Sequence, residues 1–205
     1  MFITFEGIDY SGKTTQARML HGYFKRKRIK SILIREPGGT KISERVRKIL
    51  LDREHHEMTP LTEFLLFSAS RAQLVSEKIK PNLKRNVFVI CDRYYDSSTA
   101  YQGYGGKLDL KLVREVNDFA TGYLKPDVTF LINTPLKTAI ARQRERGKKL
   151  DRIESKKLAF YGRVYRGFLE IARKESKRFM VIDGNKDKGE IHREISHRLS
   201  QIITD

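Results

Sequence analysis

The stretch Gly7-Ile8-Asp9-Tyr10-Ser11-Gly12-Lys13-Thr14 constrains this chain more than any other. It has the spacing G-x-x-x-x-G-K-[ST] of a phosphate-binding loop, and its context suits one: the apolar, strand-like run Met1 to Phe5 precedes it and a helical pattern follows. A polyphosphate needs many donors converging on a small volume. A glycine-rich turn lets successive backbone N–H groups point inward while the next helix presents its positive N-terminus. Lys13 then reaches the β- and γ-phosphates of a nucleoside triphosphate, and the Thr14 hydroxyl is placed to hold Mg²⁺. Gly7, Ile8, Asp9, Tyr10, Ser11, Gly12, Lys13, Thr14 and Thr15 are the expected ATP contacts.

Beyond the loop, Ala17, Leu20 and Phe24 share one face of a helix running to about Arg28. Ser31 to Arg35 reads as a second strand. Glu36-Pro37-Gly38-Gly39-Thr40 follows at its carboxyl end, where open α/β sheets place ligand loops. Ile42, Val46, Ile49 and Leu50 mark a second helix. Thr59-Pro60 opens a third, with a cap residue before a proline at the first helical position. The periodicity of this third helix sends Leu61, Leu65, Ala69, Ala72 and Val75 toward the core; on that basis alone Phe67 is a core residue and Arg71 a surface charge.

Val87 to Cys91 is an uninterrupted apolar run, as in a strand buried on both faces. It ends at Asp92-Arg93-Tyr94, where an acid at the strand tip is placed to act near Mg²⁺, directly or through water. A helix capped by Asp109 and stopped at Gly122 comes next, then a strand from Asp127 to Asn133 and a helix from Pro135. A long helix from Ile153 to Glu175, a strand from Phe179 to Asp183 and a closing helix complete the pattern. Five strands alternating with helices predict one α/β domain over residues 1–205, a five-stranded parallel sheet with helices on both faces.

The basic run Arg142, Arg144, Arg146 and Gly147 to Arg152 lies between two helices. With Gly147 as a flexible point, it suits a short lid over about residues 142–152 as well as it suits a solvated charged face. The chain carries 42 Lys and Arg against 25 Asp and Glu, a formal charge of +17. These residues are spread along its length rather than gathered in a tail, so anionic nucleotide substrates explain the field better than nucleic acid does. No apolar run approaches the roughly 20 residues that span a bilayer, and the N-terminus reads as a strand rather than a signal sequence. The expectation is a cytoplasmic protein with no membrane partner. The single cysteine, Cys91, ends an apolar run and reads as a buried structural thiol.

A phosphate-binding loop alone serves ATPases, GTPases, kinases and transport motors. The chain is short for a motor, and no Asn-Lys-x-Asp guanine-reading sequence follows a late strand. A compact chain with a basic segment before its last elements suits a small-metabolite kinase, where closure excludes water so that the γ-phosphoryl group reaches its acceptor.

Five further blocks carry a resemblance. Phe5-Glu6-Gly7-Ile8-Asp9, Arg35-Glu36-Pro37-Gly38-Gly39-Thr40, Leu66-Phe67-Ser68-Ala69-Ser70-Arg71, Asp92-Arg93-Tyr94 with Ser97-Ser98-Thr99-Ala100-Tyr101-Gln102-Gly103, and Leu150-Asp151-Arg152-Ile153-Glu154 stand in the order found in bacterial thymidylate kinases and cover most of the chain. The resemblance implies a P-loop NTPase fold of the nucleoside monophosphate kinase kind. It also implies transfer of the γ-phosphate of ATP to dTMP with Mg²⁺, in a homodimer.

Carried over by position, Phe67 stacks on thymine and Arg71 hydrogen-bonds a base carbonyl, which replaces the core reading of Phe67. Ser98 and Gln102 resemble further base contacts, and Tyr101 the tyrosine that crowds the sugar 2′ position. Asp9 falls near the sugar 3′-hydroxyl or the metal. Arg35, Arg47 and Arg93 are implied to grip the monophosphate, with Arg45 the alternative to Arg47, and Glu36 joins the substrate-binding set. Thr14 and Asp92 are the implied metal-side residues. Where some members of the family place an arginine in the phosphate loop, this chain has Tyr10, so the catalytic arginine is expected from the lid. Arg142 or Arg146 is the first choice, with Arg144 and Arg152 as alternatives, beside Lys13, Asp92 and Arg93. Two rival readings are a kinase for another nucleoside or nucleotide and, from the net charge, a nucleic-acid-stimulated ATPase.

Overall fold

Strand β1 (Phe2–Glu6) is buried along its whole length because it runs through the middle of the sheet. The computed structural model describes residues 1–147 and 149–203, so Lys148 of the expected lid lies outside the described residues. After β1 come α1 (Lys13–Arg26), β2 (Ser31–Arg35), α2 (Lys41–Leu51), α3 (Pro60–Leu74) and α4 (Lys80–Lys84). Then follow β3 (Phe88–Asp92), α5 (Tyr95–Ser98), α6 (Leu110–Thr121), β4 (Val128–Asn133), α7 (Leu136–Arg146), α8 (Leu158–Lys174), β5 (Phe179–Asp183) and α9 (Lys188–Ile203). Two π-helical segments, Val75–Ile79 and Thr99–Gly105, extend α3 and α5.

The five strands form one parallel sheet in the order β2-β3-β1-β4-β5. The chain leaves β1 toward one edge and β3 toward the other, so a crevice opens between their carboxyl ends, the place where open α/β sheets bind ligands. The register pairs Phe5 of β1 and Arg35 of β2 with Asp92, which fixes that acid at the crevice.

One face of the sheet packs Ile3, Phe5, Phe130 and Ile182 against Leu20 and Phe24 of α1 and Ile195 of α9. On the other, Phe2, Val89 and Cys91 meet Leu74, Val75 and Ile79. Burying each of these large side chains contributes about 1.5–3 kcal/mol. Cys91 is wholly buried, and its thiol donates to the Arg93 carbonyl.

Helix boundaries follow local chemistry. The Thr59 hydroxyl accepts from Thr62 N–H and Asp109 accepts from Lys111 and Leu112 N–H, while Gly122 takes the left-handed conformation that ends α6. Two expectations need correction. The helix expected from Ile153 begins at Leu158, because the Asp151 carboxylate accepts both Ile153 and Glu154 N–H at 2.9 Å and closes a separate turn first. In α3 the apolar stripe faces outward: Leu61 and Leu65 are 45% and 48% exposed, Ala69 and Ala72 are exposed, and of the five residues expected in the core only Val75 is buried. The buried face of α3 holds Glu63, Phe64, Ser68, Ser70 and Arg71 instead.

Candidate active site

Two clefts meet at the phosphate loop. In the loop, Gly7 has φ 142° and an added Cβ would stand 2.7 Å from the Ile132 carbonyl oxygen, so no side chain fits. Gly12, at φ 99°, leads into α1 in a left-handed conformation that glycine adopts at little cost. Lys13 opens α1; its Nζ donates to the Ile8 carbonyl at 3.3 Å and lies 3.9 Å from Asp9 Oδ1. Burial lowers its pKa, with Arg93 adding to the effect and Asp9 opposing it.

The first cleft runs along this loop and is lined also by Thr14, Thr15, Arg142 and Arg146. Arg142 donates to the carbonyls of Ser11 at 3.4 Å and Gly184 at 2.9 Å. Arg146 lines the cleft with no hydrogen bond or ion pair to any of the described residues. Of the other arginines in the segment expected as a lid, Arg144 is exposed and lies outside this lining, and Arg152 turns away to donate to the Leu50 carbonyl and pair with Glu63 at 2.7 Å.

At the head of the cleft, Thr14 Oγ1 donates to Asp92 Oδ2 at 2.5 Å, while Asp92 Oδ1 is buried without a partner among the described residues. An orphaned carboxylate oxygen beside a hydroxyl fits a hard cation that keeps several waters and takes its other ligands from phosphates. The described residues hold no cluster of three or more acidic, His or Cys ligands, and Mg²⁺ in such sites needs none.

The second cleft is a cavity of about 100 Å³ between the phosphate loop, α3, the Thr99–Gly105 segment and the turn at Asp151. Asp9, Arg93 and Tyr101 form one end. Asp9 Oδ1 accepts from Arg93 at 2.6 Å, and Oδ2 accepts from the hydroxyls of Tyr101 at 2.7 Å and Tyr161 at 3.3 Å. Burial alone would raise the pKa of Asp9, but Arg93 and Lys13 bring it down to about 2.

Arg93 itself has φ 72°, unusual for a residue with a side chain, and is tied by donation to the Gly7 carbonyl and Ser97 Oγ. Below it, Ser97 and the Tyr94 N–H both donate to the buried Glu6 carboxyl, whose pKa burial and Asp96 push up to about 8.

Phe67 lines the opposite wall, partly buried. Arg71 is fully buried; it donates to Asn117 and Ser98, each at 2.7 Å, and pairs with Glu36, whose pKa burial raises against the pull of Arg71. Arg71 Nε and Glu36 Oε2 are buried without partners among the described residues. An unmet buried polar group costs roughly 1–3 kcal/mol, so a ligand that meets it is favoured.

The cavity thus gathers nearly all the expected acceptor-side residues: Asp9, Glu36, Arg47, Phe67, Arg71, Arg93, Ser98, Tyr101 and Gln102. Arg47 lines it, donating to the Pro37 carbonyl, whereas Arg45 is exposed and does not. Arg35 also lies outside the lining. Glu44, anchored on the Gly39 N–H, pairs with its guanidinium at 2.9 Å and draws it to the surface.

The expectations named no role for Ser97, Asp151, Glu154 or Tyr161. Asp151 and Glu154 sit in the Leu150–Glu154 block, a usable signal; there Glu154 accepts from the Tyr10 hydroxyl at 3.0 Å and from Asp151 N–H. Tyr161 shares a helical stripe with core residues and carries no mark of its own.

A parallel sheet in this order, a phosphate loop at its crevice and an arginine-lined cavity beside the loop define a P-loop phosphotransferase of the nucleoside monophosphate kinase kind. The thymidylate kinase family model matches residues 5–195. The chain is 47% identical to thymidylate kinase of Kosmotoga olearia over 195 residues, covering 95% of this chain and 93% of that protein. It is also 47% identical to that of an Exiguobacterium strain over 186 residues, with 91% and 87% covered. A crystal structure of thymidylate kinase from Ehrlichia chaffeensis superposes with a TM-score of 0.79 at 38% identity, covering 98% of both chains. The chain belongs to the thymidylate kinase family.

Proposed function

We propose that the loop-side cleft holds ATP and the second cavity holds dTMP, with the γ-phosphate passing between them beside Lys13 to give dTDP and ADP. The reaction is that of the family, and it feeds dTTP synthesis. The observation that carries the division of roles is the Asp9–Arg93–Lys13 cluster: it joins the two clefts and sets cations where an acceptor monophosphate and a donor γ-phosphate would meet.

A monophosphate acceptor is already anionic and needs no general base. An Asp9 held as a carboxylate is suited to accept hydrogen bonds from the sugar. Phe67 supplies a stacking face, Arg71 a donor to a base carbonyl, and Arg93 and Arg47 forked donors to the monophosphate. Segment 142–152 acts as the lid, and Arg146 is the arginine that neutralises the transferring group. Thr14 and Asp92 would hold Mg²⁺, directly or through water, and the ion supplies charge neutralisation for the triphosphate.

The exposed stripe Leu61 and Leu65 of α3, with Ile42 and Ile49 of α2 at 53% and 44% exposure, supports a homodimer built on that face. Sedimentation as a monomer at working concentration would overturn this. The charge of +17 serves nucleotide anions and not nucleic acid. No described helix is long and apolar enough to cross a membrane. A cytoplasmic site, where ATP is held, belongs to the same proposal.

An ADP-release assay across dTMP, dUMP, dCMP, AMP and thymidine tests the reading. Turnover is expected to be best with dTMP, and equal or better turnover of another acceptor overturns it.

A further inference from the structure

Glu63 stands in the first turn of α3, where an acid ordinarily faces water and complements the helix dipole. Here its side chain is turned inward and only 2% of the residue is exposed. Three donors converge on its carboxylate: Gln102 Nε2 at 2.9 Å, Lys156 Nζ at 2.9 Å and Arg152 at 2.7 Å. Burial alone would raise its pKa, but Lys156, Gln102 and Arg152 hold it below the ordinary carboxylate range, so at neutral pH it is an acceptor only.

An acceptor-only neighbour decides which end of the Gln102 amide faces it. The NH₂ group must point at Glu63, and the oxygen must point elsewhere. Gln102 lines the second cavity, and among the described residues no donor to its Oε1 is found. Arg71, also in the lining, offers only donors and has its Nε–H without a partner. The polar wall of the cavity therefore presents a donor at Arg71 and an acceptor at Gln102.

We propose that Glu63 is a specificity-determining positioning residue: by fixing the polarity of the Gln102 amide, it makes the cavity select a pyrimidine with a 4-oxo group and an N3–H. Thymine offers an acceptor at O4 and a donor at N3, matching both. Cytosine offers a donor at its 4-amino group and an acceptor at N3, so it sets donor against donor and acceptor against acceptor. A site whose polar groups pair only with the correct base rejects the other strongly. The proposal rests on the reading of this cavity as the dTMP site.

The test compares kcat/KM for dTMP and dCMP. In wild type dTMP is expected to win; a preference for dCMP there breaks the reading of the cavity itself. In Glu63→Gln the neighbour can donate as well as accept, the Gln102 amide is free to turn, and the dTMP/dCMP ratio is expected to fall roughly tenfold, the weight of one hydrogen bond to a base edge.

Lys156→Ala removes an ion pair but leaves the carboxylate on Gln102, and should keep the wild-type ratio. An unchanged ratio in folded Glu63→Gln, or an equal fall in Lys156→Ala, overturns the role of Glu63 and leaves the dTMP site standing. Should the uncompensated cations keep Glu63→Gln from folding, Glu63→Gln/Lys156→Gln removes an anion and a cation together, and the same ratio decides.

Discussion

On the side of Lys13 proposed to hold dTMP the charged groups are paired within the protein: Arg71 with Glu36, Asn117 and Ser98, Arg93 with Asp9, and Glu63 with Arg152 and Lys156. On the side proposed to hold ATP the protein offers backbone N–H groups, an exposed Thr14 and Thr15, and Arg146 with no hydrogen bond or ion pair among the described residues. The contrast follows from what each side has to recognise. A triphosphate is bound through charge and a loop shape that any glycine-rich turn can supply. A thymine must be told from other bases, which requires donors and acceptors held in fixed orientation, and a buried network of paired charges holds them so while leaving a few polar atoms for the base. On the proposed division the acceptor side is preorganised, while the donor side is left to be completed by its ligand and segment 142–152.

The largest effect that distinguishes the two sides is expected at Arg146. The proposed role of Arg146 is a contact made mainly in the transition state, and on that reading Arg146→Ala lowers kcat on the order of a hundredfold with little change in KM for either substrate. Steady-state kinetics with each substrate varied in turn gives the answer. An unchanged kcat would shift the role to Arg142, which is already tied to the Ser11 and Gly184 carbonyls and would have to break those bonds to act.

The same contrast explains what could be read from sequence. The phosphate loop was legible because its chemistry depends on glycine spacing, and the strands because parallel strands buried on both faces are continuous apolar runs. The acceptor wall was not legible from periodicity. A hydrophobic-stripe reading of α3 puts Leu61 and Leu65 inside and Arg71 outside, yet Arg71 is 0% exposed and Leu65 48%.

That reading assumes polar side chains face water. Here Arg71 faces the cavity and is paired with Glu36, Glu63 is paired with Arg152 and Lys156, and the apolar stripe is left on the surface. The ordered sequence blocks named Phe67, Arg71, Ser98 and Gln102, which all line the cavity, because resemblance carries residues by position and not by polarity. Glu63 lies outside those blocks and sits where a helix dipole would explain it, so only its geometry identifies it. The start of α8 was misplaced for a local reason, since an Asp151 side chain accepting backbone N–H groups competes with helix continuation without altering the apolar period.

Phe67 offers a smaller effect that separates the two sides and the two readings of that residue. Periodicity makes it core packing, and the cavity makes it a platform for the base; it is partly buried beside the cluster of Tyr101 and Phe160, so packing is a real part of its environment. Base stacking on an aromatic side chain is worth about 1–3 kcal/mol. Phe67→Ala is accordingly expected to raise the dTMP KM about tenfold or more and leave the ATP KM nearly unchanged, because it lines the second cavity and not the loop-side cleft. A residue that served packing alone would show a lowered Tm with both KM values intact. Equal rises in both KM values would mean that the two clefts are coupled through α3, and the division between a preorganised acceptor side and an open donor side would fail at that point.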